Sequence, residues 1–186
     1  MTDEEWKSPI TPKGRETTRA LLDAGELIAA RDGLSDLSVA AVTAEAGVAK
    51  GTFYIHFADR ARFVEALRER FLSEVEEAVL AAVAPHPPGR DFLLAAIDSY
   101  LDVCLAHRSV KTLTLEAGGV GESGRPLAAR FEQLVEPSLK VLGLTPVQIN
   151  ARLLIALASE TAAIEWDAAT RDSGARDALR RWILRV

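Results

Sequence analysis

Phe53 and Phe57 stand four residues apart in the run Val48-Ala49-Lys50-Gly51-Thr52-Phe53-Tyr54-Ile55-His56-Phe57, directly after Gly47. Two large aromatic residues at that spacing share one side of a helix, and that side has to be a core side. Lys50, Gly51, Thr52, Tyr54 and His56 are then predicted on the other surfaces. They supply hydrogen-bond donors, one residue small enough to permit close approach, and an amphipathic ring. A helix pressed into a DNA groove needs that set. The preceding segment, Val39 to Ala46, carries Val39, Val42 and Ala46 at helical spacing behind a capping Ser38, and Gly47 supplies the turn. Two short helices around such a turn make a helix-turn-helix unit.

The rest of the chain reads as helices separated by clear breaks. Thr11-Pro12 is a cap followed by a first helical position, and helix one is predicted to run to about Arg31 with Leu21, Gly25 and Ile28 on one face. Asp59 is placed to cap a fourth helix, in which Phe63, Leu67, Phe71, Val75 and Val79 recur at helical spacing. Ala84-Pro85-His86-Pro87-Pro88-Gly89 stops it. Further helices are predicted from Asp91 to His107, over Ser109–Glu116, from Arg125 to Leu142 with a kink or split at Pro137, and from a Thr145-Pro146 cap to about Thr170; Asp172-Ser173-Gly174 then breaks the chain before a last helix carrying Leu179, Trp182, Ile183 and Val186. No stretch has strand periodicity. The expected fold is all-α with about nine helices.

Composition narrows the function classes. Hydrophobic residues make up 48% but aromatics only 6%, and this bias toward Ala and Leu favours helices. The single cysteine, Cys104, excludes an internal disulfide framework and a zinc cluster. The N-terminus has no signal-peptide pattern, and the apolar runs are interrupted before the length of a membrane span, so a cytoplasmic protein without membrane contact is expected. A net charge of −5 argues against coating nucleic acid while leaving room for a local DNA-reading face. The loop Gly118–Gly124 lacks the preceding strand and the Lys-Ser/Thr ending of a phosphate cradle, so it reads as a connector. No nucleophile elbow, paired carboxylates or metal-ligand spacing points to an enzyme. Neither a cofactor nor a metal is expected.

From Thr17 to Phe71 the chain resembles the DNA-binding half of the tetracycline-repressor-like (TetR/AcrR) transcription regulators. The residues that carry the resemblance are Leu21-Leu22, Ala24, Leu27-Ile28, Ser38-Val39, Val42, Ala46-Gly47-Val48, Lys50-Gly51-Thr52-Phe53-Tyr54, His56-Phe57 and Phe63. The resemblance implies a helix-turn-helix domain over residues 1–58 and a helical ligand-binding and dimerisation domain over 59–186, with the helix at 59–83 connecting them. It implies contacts to double-stranded DNA from Ser38, Lys50, Gly51, Thr52, Tyr54, His56 and Arg60. Lys50 would read guanine or touch phosphate, Gly51 would let the backbone approach, Thr52 would bond phosphate or offer its methyl group to thymine, Tyr54 would set its ring on base edges and its hydroxyl on phosphate, and His56, Arg60 and Ser38 would bond phosphate. Ala49 stands where the family often has Ser, a lost cap costing about 1 kcal/mol. Ala40 and Ala41 replace polar residues, which leaves helix three as the main reader.

The resemblance further implies a homodimer on a palindromic operator, acting as a repressor released by a small apolar or aromatic effector. Effector contacts are expected among Tyr100, Cys104, His107, Glu116, Glu160, Thr161 and Trp166, and dimer contacts among Leu153, Leu157, Ile164, Leu179, Trp182 and Ile183. Two other readings stand beside it. One is a DNA-binding regulator controlled by a protein partner without an effector. The other is a helical small-molecule carrier, which leaves the Lys50–Tyr54 run unexplained.

Overall fold

The computed structural model describes residues 11–32, 36–107 and 125–185. Among these are eight α-helices and no strand: α1 (Pro12–Asp32), α2 (Val39–Glu45), α3 (Lys50–His56), α4 (Arg60–Val83), α5 (Arg90–Ala106), α6 (Arg125–Val141), α7 (Val147–Ala168) and α8 (Ser173–Arg185). The fold is all-α, as predicted. The helix expected over Ser109–Glu116, with Glu116 itself, and the loop Gly118–Gly124 fall outside the described residues.

Local chemistry sets most helix ends. Thr11 Oγ1 accepts from the Gly14 N–H at 3.1 Å and Ser38 Oγ from the Ala41 N–H at 3.1 Å. Asp59 Oδ1 caps α4 by accepting from the Arg62 N–H at 2.8 Å. Each of these bonds satisfies a donor that the first helical turn leaves unpaired. Gly47, at φ 67°, makes the left-handed turn between α2 and α3. Two expectations are corrected. Thr145 does not cap α7; the N-cap position is Pro146, which has no side-chain cap bond. Pro137 lies inside an unbroken α6, so the helix is not split.

The chain divides into two compact units, the change falling within α4 between Arg70 and Phe71. The N-terminal unit is built around aromatic contact. Phe53, Phe57 and Phe63 are all buried, with ring centroids 5.0–5.5 Å apart. Gly25 lets α1 approach α4, because a Cβ at that position would lie 2.6 Å from Phe63 Cζ. Arg70 Nη1 closes the same pair of helices on Asp23 Oδ1 at 2.6 Å.

In the second unit α7 packs against α5 and α6, and α8 packs against α5 and α7. The inward face of α7 holds Ala151, Leu154, Ala158, Thr161, Ala162 and Glu165. Glu165 is 1% exposed and receives Arg176, also 1% exposed, through Nε at 2.5 Å and Nη2 at 2.8 Å. Arg176 Nη1 reaches Asp102 Oδ1 on α5 at 2.6 Å, and Arg180 Nη2 donates to both oxygens of Asp98 at 2.8 Å. Bonding to Glu165 holds the Arg176 guanidinium above its already high pKa, so this cation is permanent. Against the expectation from its interrupted apolar runs, α7 is the one helix among the described residues long and apolar enough to cross a membrane. Its apolar length has a different origin here: one face is core, and the opposite face carries a second apolar stripe.

Candidate nucleic-acid interface

α3 has only seven residues, too few to persist alone in water. It has no side-chain cap at Ala49, so tertiary anchoring must hold it. Phe53, His56 and Phe57 form the inward stripe at i, i+3 and i+4. Lys50, Gly51, Tyr54 and Ile55 are exposed, and Thr52 is half-buried. Tyr54 is exposed, and its ring meets that of Phe53 in a T-shaped contact at 5.5 Å. The outer face thus offers an ammonium, a phenol and a gap where a side chain would be.

The gap at Gly51 has no structural cause. A Cβ built there meets nothing within 4 Å, and its backbone is ordinary helix. A glycine inside a helix costs up to about 1 kcal/mol relative to alanine. Gly25, by contrast, is required by its neighbours, and Gly47 by its φ.

His56 is corrected. It was expected on an outer surface, but it is 4% exposed, with Nδ1 2.8 Å from Thr18 Oγ1 on α1. The i+3 spacing from Phe53 is the physical reason and the signal that was passed over. Burial lowers its pKa below the usual imidazole value. Arg60 is exposed on average, yet its Nε donates to the Leu37 carbonyl at 2.6 Å, which ties the start of α4 to the segment entering α2. Ser38 is exposed and serves as the α2 cap. Residues 11–70 carry nine basic and nine acidic side chains, so the net charge of −5 arises elsewhere in the chain.

The predicted effector residues do not all gather in one place. Tyr100 Oη lies 3.4 Å from Ser159 Oγ, which links α5 to α7, and it also bonds Cys104 one turn along. Burial pushes the Tyr100 phenol far above its usual pKa, so it stays protonated and neutral. Cys104 is buried, and Thr161 is buried with its hydroxyl donating to the Leu157 carbonyl at 2.9 Å. His107 Nε2 is 3.2 Å from Glu74 Oε2. Trp166 is half-buried. Glu160 is exposed on the outer side of α7. The buried carboxylate of this helix is Glu165, which sequence reasoning missed along with its partner Arg176.

The dimer set also separates. Leu153, Leu157 and Ile164 are 50%, 38% and 40% exposed on the outer face of α7, joined by Ile149 at 56%. Leu179 and Ile183 are instead core, at 4% and 1%, because α8 turns residues 176, 179 and 183 inward. Trp182 is half-buried between those classes.

Residues 21–67 match the family described as bacterial regulatory proteins, tetR family. No curated protein sequence matches the chain. Among solved structures, a TetR-like transcriptional regulator from Rhodococcus sp. RHA1 is 19% identical with a TM-score of 0.72, covering 96% of this chain and 97% of that one. The TetR family regulator PfmR from Thermus thermophilus is 18% identical with a TM-score of 0.67, over 90% and 97%. The multidrug binding protein EbrR, complexed with imidazole, is 22% identical with a TM-score of 0.63, over 90% and 93%. Residues 21–67 therefore resemble the DNA-binding segment of the tetR family, and the chain shares the fold of the TetR-like regulators.

Proposed function

We propose that the chain is a cytoplasmic transcriptional repressor that binds a palindromic operator as a homodimer and is released by a small apolar or aromatic effector. The observation that carries the DNA-reading role is the outer face of α3. Its exposed Lys50 and Tyr54 flank an unoccupied Gly51, while Phe53, His56 and Phe57 fix the helix from behind. Lys50 donates to guanine O6 and N7 or to phosphate, Gly51 admits the DNA surface, and Thr52 and Tyr54 bond the backbone. Ser38 caps α2 with a lone pair and offers its hydroxyl proton to a phosphate at the helix start. Arg60 steadies α2 through Leu37 and neutralises phosphate charge. His56 serves as the tie to α1 rather than as a phosphate donor.

The outer stripe of α7 supports pairing with a second copy. Four large apolar residues in a row exposed to water are unfavourable for a monomer, and a two-fold pair covers both stripes at once. Two recognition helices then stand about 34–36 Å apart on one face of the duplex. The Tyr100–Ser159–Cys104 cluster, polar groups among apolar helices, is the effector site favoured by its chemistry. An effector that prefers the non-binding arrangement by about 1–3 kcal/mol suffices for release.

The test is selection from a random double-stranded DNA library at moderate salt, with Lys50→Ala/Tyr54→Ala run in parallel. A palindrome enriched by the wild type and lost in the double variant is the expected outcome. Failure of the wild type to enrich any sequence would overturn the DNA-reading role.

A further inference from the structure

Ile55 is 61% exposed, more than the other exposed large apolar residues described in the N-terminal unit, Leu27 at 57% and Tyr54 at 49%. It sits four residues after Gly51, so the two share one strip of α3. Each is an unfavourable choice for an isolated helix. Glycine lowers helix propensity, and an exposed β-branched side chain loses both rotamer freedom and the return from burial. Nothing in the folded chain compensates at Gly51, where a Cβ would meet no atom within 4 Å. The pair forms a shallow apolar step with no hydrogen-bonding atom in either side chain.

The major groove has one apolar landmark, the C5-methyl group of thymine. We propose that Gly51 and Ile55 act together as a specificity element that reads a thymine methyl, the glycine leaving room for the methyl group and the isoleucine packing against it. This rests on the DNA-reading role proposed above and gives it a chemical preference. Lys50 and Tyr54, on the flanks of the strip, supply the polar contacts, so removing the methyl subtracts from affinity without changing the charge neutralised.

The experiment repeats the selection with two libraries, one containing thymidine and one with deoxyuridine in its place, and measures affinity for the selected duplex with single thymidines exchanged for deoxyuridine. Wild type is expected to lose about fourfold per half-site at one position, the factor that burial of a single methyl group supplies. Ile55→Ala, a change at an exposed residue, is expected to bind more weakly and to lose most of that thymine–uracil difference. Lys50→Ala is expected to weaken both duplexes equally. Equal wild-type affinity for both bases at every position overturns the proposal while leaving DNA reading intact, and so does an undiminished difference in Ile55→Ala. No enrichment from the thymidine library overturns DNA reading itself, and the specificity element with it.

Discussion

The two units hold their helices by different chemistry. In the N-terminal unit a seven-residue helix is pinned by three phenylalanines and one imidazole–hydroxyl bond. In the C-terminal unit helices of 13 to 22 residues are joined across their packing faces by a buried arginine with carboxylates from two neighbours. Aromatic packing tolerates no gap but has no directional demand beyond shape. A buried ion pair often adds little net stability, yet its bidentate geometry favours one register. The short helix needs an anchor in order to exist, whereas the long ones need a device that selects one arrangement among several that bury similar area.

The largest expected effect breaks that network. Arg176→Leu leaves the Glu165 carboxylate buried without its partner and should cost about 3–5 kcal/mol. The double variant Arg176→Leu/Glu165→Leu should recover most of that loss in urea unfolding. If the double variant is as unstable as the single, the network supports more than register, and the contrast between the units fails. Next, Gly25→Ala drives a methyl group into Phe63, itself locked by Phe53 and Phe57, and should cost about 1–3 kcal/mol. Tm by circular dichroism measures it.

A smaller effect follows pH. Burial lowers the His56 pKa from its ordinary 6.5. The unfolded chain therefore takes up a proton before the folded one does, and the stability contributed by neutral His56 is lost as pH falls from that value. Replacing His56 with Gln should flatten the dependence in denaturant titrations run on either side of about pH 6.5. The smallest effect has the opposite sign: Gly51→Ala should stabilise the fold by up to about 1 kcal/mol while weakening operator binding. Loss of both together would mean that Gly51 serves the fold.

What was legible in the sequence follows from how unambiguous each spacing is. Phe53 and Phe57 could only share a face, and Ser38, Thr11 and Asp59 cap where they were expected to. His56 was misplaced because its polarity was weighed above its i+3 position. In α7, Leu153 and Leu154 are equally apolar, so periodicity could not say that one is half exposed and the other buried. Leu179 and Ile183 were assigned to a dimer by the resemblance alone, and α8 instead turns them into the core. Glu165 and Arg176 stand on either side of the break between α7 and α8, beyond the reach of any helical spacing rule, and only the fold brings them together.

The separation of faces on α3 has an evolutionary consequence. Its anchor, Phe53, His56 and Phe57, and its outer strip, Gly51 and Ile55, occupy different sides of two helical turns. Substitutions on the strip need not disturb the aromatic cluster, so a duplicated copy can acquire a new operator by changes that leave folding unharmed. Drift in recognition and conservation of architecture can then proceed independently within a single seven-residue segment.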